Sequence, residues 1–123
     1  MRSLLVGIGG FIGSVSRYWL AGVIQRTVGI DFPLGTLSVN VIGSLLLGLF
    51  MTSALERNLI GPDARLFLTI GFCGGFTTMS TFSYETLVLL REGSWLAGVG
   101  NIAASLASCL GAVWLGDAVA RLL

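Results

Sequence analysis

The chain contains no histidine and no lysine, and only 11% of its 123 residues carry a charge. Without histidine, a Ser-His-Asp triad, a His-ligated metal and the usual side-chain proton shuttle are excluded. Seven arginines against six acidic residues leave a net charge of +1, so no basic surface for nucleic acid is predicted. Because the sequence shows no nucleophile–base pair and no metal cluster, we do not expect an enzyme.

Cysteine and proline are also scarce, with two of each. Cys73 and Cys109 both lie in apolar runs, where we expect small buried thiols, and nothing in the sequence supports a disulfide between them. Pro33 and Pro62 fall in the polar connections between apolar segments, so they mark loops rather than helices.

Apolar side chains dominate what is present, at 54% of the residues and a mean hydropathy of +0.92. A soluble domain of this size needs far more charged surface. We therefore predict an integral membrane protein with a single transmembrane domain over residues 1–123 and no extramembrane domain. The N-terminal M-R-S-L-L-V-G-I resembles a signal peptide, but Arg17 interrupts the apolar run, and we assign the segment to a first membrane helix.

Four apolar segments are long enough to cross a hydrocarbon core of about 30 Å, which needs roughly 20 residues per helix. They predict an all-α membrane protein, a four-helix bundle with both termini on one side. Short polar connections separate them, and glycine or serine pairs four residues apart predict close packing of the helix backbones. The predicted spans are Ser3 to Val23, Leu34 to Leu55, Leu66 to Leu90, and Trp95 to Val119.

The third span carries an unusual segment, G-F-C-G-G-F-T-T-M-S-T-F-S, from Gly71 to Ser83. Three glycines and five hydroxyl side chains loosen a membrane helix and can satisfy the backbone groups that a break would free. We predict a break near Gly74 to Thr77. Such a break leaves carbonyls at the end of one half-helix, a cation site, and N–H groups at the positive end of the other.

The arginines are divided almost evenly between the two sides of the predicted bundle. Four lie on the side of the termini and three on or near the other side, so the positive-inside rule barely fixes an orientation. We favour insertion in both orientations and an antiparallel, dual-topology homodimer over the alternative of one weakly biased topology. The first group is Arg2, Arg57, Arg65 and Arg121, and the second is Arg17, Arg26 and Arg91.

Polar residues form tracks on three of the predicted helices. Interhelical hydrogen bonds, worth about 0.6 to 2 kcal/mol each, explain any one of them. Three facing tracks in so short a chain favour a permeation path, and hydroxyl and amide donors without carboxylates suit a small anion. Arg17 adds positive potential near one mouth, and Phe82 can present its positive ring edge. The tracks are Thr36, Asn40 and Ser44, with Gly48 on the same side; Thr77, Thr78, Ser80, Thr81 and Ser83; and Asn101, Ser105, Ser108 and Cys109.

Over nearly its whole length the chain resembles the Fluc (CrcB-type) family of fluoride channels. The similarity is carried by G-S-V-S-R-Y from Gly13, by G-T-L-S-V-N from Gly35 to Asn40, and by the glycine-rich segment of the third span. The last two together are highly specific, whereas either alone is weak. The resemblance implies an antiparallel dual-topology homodimer with two fluoride pores, in a bacterial inner membrane, that lets fluoride leave the cytoplasm and so relieves its toxicity.

The resemblance also implies roles for individual residues. Asn40 is the pore asparagine that donates to fluoride, and Phe82 is the second pore phenylalanine. Gly74 and Thr77 give backbone carbonyls to a central sodium ion on the dimer axis, the one cofactor implied. The remaining pore positions are Met79, Ser80, Thr81, Ser83, Ser105 and Cys109, with Arg17 and Glu85 as the charges beside the pore.

Three positions depart from the usual family pattern. Met79 replaces the first pore phenylalanine and has no ring edge. Asn101 stands where a fourth-helix tyrosine is frequent, and Cys109 stands where a serine is frequent.

Two other functions fit a chain of four membrane helices. A small multidrug transporter needs a carboxylate deep in its first helix, where this chain has Arg17 instead. A structural subunit of a membrane complex predicts no ion flux from the purified protein.

Overall fold

A computed structural model describes all residues, 1–123, and it contains four helical spans that are long and apolar enough to cross a membrane. The first span is Arg2–Val28, the second Leu34–Leu55, the third Pro62–Arg91 and the fourth Trp95–Arg121. The predicted all-helical class and number of spans are thus confirmed. The first span runs five residues beyond its predicted end at Val23, because the helix stops only at Gly29, whose φ of 66° is the left-handed conformation of a helix C-cap.

The third span is not one regular helix. It begins with an α-helical turn, Pro62–Arg65, continues as a π-helix, Leu66–Cys73, and ends its first part in the short turn Gly74–Phe76. Together these residues, 62–76, are called the first half-helix here. The second half-helix is Met79–Arg91.

Two extended residues separate the half-helices. Thr77 has φ −89° and ψ 158°, and Thr78 has φ −151° and ψ 114°. The predicted interruption is confirmed, although it lies at the C-terminal edge of the predicted range. The π-helical winding before it was not predicted, since no residue pattern distinguishes it from an α-helix; π-helical turns are rare and frequently accompany functional sites.

Glycines hold the first span against the first half-helix. A Cβ at Gly9 would lie 2.6 Å from the Phe67 carbonyl oxygen, and one at Gly75 would lie 2.5 Å from the Gly10 carbonyl oxygen. A Cβ at Gly13 would likewise collide with the carbonyl oxygen of Phe72. The two backbones are in contact with no space for a side chain, which confirms the predicted small-residue packing and fixes the register of the break against the first span.

The second and fourth spans pack closely through another pair of glycines. Gly48 lies against the backbone of Val113, and Gly116 lies against that of Leu45. At the end of the bundle that carries the termini, Asp117 accepts a hydrogen bond from Thr52 Oγ1 at 2.6 Å and Arg121 pairs with Glu56. Because the arginine and glutamate are half exposed, that ion pair adds little stability, and the glycine contact positions the two helices.

Candidate functional site

A groove of about 390 Å³ runs along one face of the bundle, where the second span, the break and the fourth span meet. It gathers more than half of the residues that the sequence singled out, although they are up to 69 positions apart in the chain. Aliphatic side chains complete its walls, and no acidic or basic residue lines it. The predicted residues in the groove are Asn40, Ser44, Gly74, Thr77, Thr78, Met79, Phe82, Ser105 and Cys109.

The side chain of Asn40 is hydrogen-bonded to the break itself. Its Oδ1 accepts from the Thr78 N–H at 2.8 Å, and its Nδ2 donates to the Thr78 carbonyl at 3.1 Å. A carboxamide nitrogen has two hydrogens, so one N–H stays available to an acceptor in the groove. Asn40 therefore replaces helical hydrogen bonds that the break removes and still offers a donor at mid-span.

The break leaves the carbonyl groups at the end of the first half-helix without their helical donors, and two of them belong to residues at the groove. In a continuous helix the Thr78 N–H would bond the Gly74 carbonyl, but here it bonds Asn40. The Thr81 N–H, which would bond the Thr77 carbonyl, donates instead to Thr78 Oγ1 at 3.2 Å. Both Gly74 and Thr77 line the groove. These are the two residues whose carbonyls the resemblance implied as ligands.

The carbonyl of Gly75, between those two residues, has a different partner. It accepts a hydrogen bond of 3.0 Å from Nε of Arg17, a half-buried side chain of the first span. The structure therefore brings Arg17 to the break, whereas the sequence suggested a position near one mouth.

Hydroxyl groups surround the beginning of the second half-helix. Thr78 is its N-cap, and Thr78 Oγ1 donates to Thr81 Oγ1 at 3.0 Å and lies 3.3 Å from Ser80 Oγ. Ser83 Oγ donates to the Met79 carbonyl at 2.8 Å. Ser80, Thr81 and Ser83 are thus beside the groove and not on its walls, while Met79 and Phe82 line it.

The polar track predicted on the fourth span divides into two parts. Ser105 and Cys109 line the groove, but Asn101 is only 2% exposed and donates to Thr86 Oγ1 at 2.9 Å. Ser108 bonds the Ala104 carbonyl of its own helix. Asn101 and Ser105 share one side of the helix, as predicted, since Ser105 Oγ donates to Asn101 Oδ1 at 3.4 Å. Asn101 and Ser108 do not line the groove, and Asn101 joins the fourth span to the second half-helix.

The second span is divided in the same way. Asn40 and Ser44 line the groove, whereas Thr36 is buried.

Glu85 lies apart from the groove. It lines a second cavity, of about 420 Å³, with Asp31 and Glu92 near the C-terminal end of the second half-helix, and its Oε1 is buried without a hydrogen-bond partner.

Sequence reasoning missed the roles of two residues, Thr78 at the break and Gly43 on the second span beside it. Thr78 was placed in a polar track, but it caps the second half-helix and supplies both backbone groups bound by Asn40. The sequence could have predicted the capping role of Thr78, since Ser or Thr directly before a helix is a preferred N-cap. Gly43 was passed over. Its backbone lies so close to the Thr77 side chain that any Cβ would collide with it, and this became visible only in the packed structure.

The arrangement combines donors and acceptors at one level of the bundle. The second half-helix begins at the groove with its positive dipole end, and the first ends there with free carbonyls. Polar backbone of this kind is not tolerated against lipid, so the groove must be covered by protein or filled with water.

Comparison with known proteins gives the same family from a family model and from individual relatives. The family described as CrcB-like protein, Camphor Resistance (CrcB), matches residues 4–117. A protein of Geobacter sulfurreducens named fluoride-specific ion channel FluC is 50% identical over 118 residues, covering 96% of this chain and 95% of the relative. Proteins with the same name from Methylocella silvestris and Rhodospirillum rubrum are 48% and 43% identical; the alignments cover 98% and 100% of this chain, and 93% and 97% of the relatives.

Proposed function

The chain belongs to the CrcB-like family of membrane proteins, and we propose that it is a fluoride-selective passive channel through which fluoride leaves the cytoplasm. The names of its relatives support fluoride as the transported ion, and the four spans make the chain a multi-pass membrane protein. We place it in the bacterial inner membrane. The driving force is the fluoride gradient and the membrane potential, and the consequence for the cell is lower fluoride toxicity.

The observation that carries the proposal is the uncharged groove with a free amide N–H of Asn40 at its centre. A small hard anion gives up its hydration shell only where donors replace it. The amide of Asn40 and the ring edge of Phe82 are such donors. The Ser105 hydroxyl becomes one when it gives up its hydrogen bond of 3.4 Å to Asn101 Oδ1. The absence of carboxylates from the groove removes the groups that would repel an anion.

The groove also supports an antiparallel homodimer. In one chain it is open, and Gly74 and Met79 are exposed. A second copy in the opposite orientation would cover the groove and place two breaks at the same depth, since the break lies midway along the third span. Two donor-lined paths, one per subunit, follow from the twofold symmetry.

Sodium fits the two free carbonyls. Gly74 and Thr77 offer uncharged oxygen, which suits a hard cation, and no cluster of acidic, His or Cys side chains offers a competing metal site. Two oxygens are too few for a sodium ion, and a twofold-related copy supplies the other two. The carbonyls of Gly74 and Thr77 would hold the ion, and the ion would offset the repulsion between carbonyl dipoles that meet at the subunit interface.

Fluoride efflux from liposomes reconstituted with the purified chain tests the channel function. We expect fluoride release that does not need a proton gradient, with chloride retained in parallel vesicles. Release of chloride at a similar rate would overturn the selectivity. Release of neither anion, beside intact empty-vesicle controls, would favour a structural subunit instead.

A further inference from the structure

We propose that Arg17 is a positioning residue that sets which carbonyls of the break are free to bind a cation. The inference rests on the proposed sodium site and extends it to a residue of the first span. It follows from the hydrogen bond of 3.0 Å between Arg17 Nε and the Gly75 carbonyl.

Arg17 binds a carbonyl that lies in the chain between the two proposed sodium ligands. The helical partner of the Gly75 carbonyl would be the Met79 N–H, which lies beyond the break at the start of the second half-helix. The Phe76 carbonyl also loses its helical donor, the Ser80 N–H, but Phe76 does not line the groove. With Gly75 held by Arg17, the carbonyls of Gly74 and Thr77 are the pair at the groove that has lost its donors. The hydrogen bond thereby fixes the last turn of the first half-helix.

The first span delivers Arg17 to this point with little freedom. Gly10, Ser14 and Arg17 follow one another on the same side of that helix, and the first two lie against Gly75. A Cβ on Gly75 would lie 2.5 Å from the Gly10 carbonyl oxygen and 3.0 Å from Ser14 Oγ. The close contact at Gly75 therefore fixes the distance between the first span and the last turn of the first half-helix, and so the distance that the Arg17 side chain spans to the Gly75 carbonyl.

The charge of Arg17 is not used in an ion pair. The salt bridges of the protein join Arg121 to Glu56 and Asp117, and none includes Arg17. Its guanidinium lies at the C-terminal end of the first half-helix, where the dipole is negative. Two roles are therefore distinct: a donor that holds a carbonyl, and a charge that raises the local potential.

Two substitutions separate these roles. In Arg17→Gln, the amide nitrogen is the same number of bonds from Cα as Nε, so the donor is kept and the charge is lost. In Arg17→Lys, the charge is kept but a methylene replaces Nε, and the ammonium lies one bond further out. Arg17→Met, with neither donor nor charge, is the matched control.

The measurement is the unfolding temperature of the detergent-solubilised protein against sodium chloride, with choline chloride holding the ionic strength constant. A ligand that binds only the folded state stabilises it by RT ln(1 + L/Kd), where L is the free ligand concentration, so a fit to the unfolding temperatures gives Kd, the concentration that half-saturates the site. For Arg17→Gln we expect the half-saturating sodium concentration to stay within about threefold of the wild-type value. For Arg17→Lys and Arg17→Met we expect it to rise by about tenfold, the loss of one good hydrogen bond.

The opposite order, with Arg17→Lys unchanged and Arg17→Gln impaired, would overturn the inference and assign Arg17 to electrostatics. Equal behaviour of all three variants would also overturn it. A wild-type protein that shows no sodium response would overturn the sodium site together with the inference, whereas fluoride efflux measured on the same preparation reports separately on the channel. Unfolding temperatures in choline chloride show that each variant is folded.

Discussion

At the scale of single residues, the centre of the candidate pathway is a carboxamide with two tasks. Asn40 bonds both backbone groups of Thr78 and keeps one N–H free. An anion site in a bilayer needs donors that are held in place before the ion arrives, because reorganising them in a medium without water is costly. The two hydrogen bonds to Thr78 fix the Asn40 side chain, and they also stabilise the extended backbone of the break.

Replacing Asn40 by Asp removes the donor and introduces a negative charge at that point. We expect Asn40→Asp to abolish fluoride efflux, because the carboxylate repels the anion and faces the Thr78 carbonyl without a hydrogen. The liposome assay measures this. Asn58→Asp is the matched control, since Asn58 lies in an exposed connection with a φ of 53°, which aspartate also adopts. Wild-type efflux in Asn40→Asp would remove Asn40 from the pathway.

Phe82 tests whether a ring edge is required on the groove wall. For Phe82→Ile we expect efflux to fall by about tenfold or more, because an aliphatic side chain of similar volume has no positive rim. Phe11→Ile is the control, since Phe11 is on the first span, is 70% exposed and does not line the groove. Equal efflux from the two variants would contradict the role of the ring.

At the scale of elements, the interrupted third span decides the site. Its first half-helix is fixed by glycine contacts to the first span, and its second begins with a capped turn at the groove. Without the glycine contact, the half-helices would not hold a constant position relative to Asn40 on the second span. Backbone packing, more than side-chain burial, therefore sets the geometry of the pathway.

Two glycines of the first span provide a test of this packing. Gly9→Ala places a methyl group 2.6 Å from the Phe67 carbonyl oxygen and 3.0 Å from Gly71 Cα, and we expect it to destabilise the fold by about 1 to 3 kcal/mol. Gly7→Ala, on the same helix with open space around it, should be neutral or slightly stabilising. Unfolding in detergent compares the two, and equal stability would contradict the close packing.

At the scale of the whole molecule, a single chain leaves polar groups uncovered on the face that carries the groove. Polar groups of the break are open there, and the even division of arginines leaves orientation nearly undetermined. A second copy in the opposite orientation would cover the exposed polar groups, and it would need the insertion in both orientations that an even division of arginines allows.

Orientation can be measured directly with a protease-cleavable tag at the C-terminus, in sealed inner-membrane vesicles of one sidedness. With dual topology we expect about half of the tags to be cut from outside, because insertion is nearly unbiased. The control is the same protein in vesicles opened by detergent, where every tag should be cut. Complete cutting or complete protection in sealed vesicles would contradict an antiparallel dimer.

The sequence by itself determined the four spans, their helical state and the break near Gly74 to Thr77, because span length, hydropathy and glycine content are local properties of the chain. It also selected Asn40, Phe82, Ser105 and Cys109, which the structure places in one groove. Only the tertiary structure separated Asn101 from that set and brought Arg17 to the Gly75 carbonyl. The physical reason is that a polar residue in a membrane helix bonds whichever group faces it, and the rotation and register of packed helices decide which group that is.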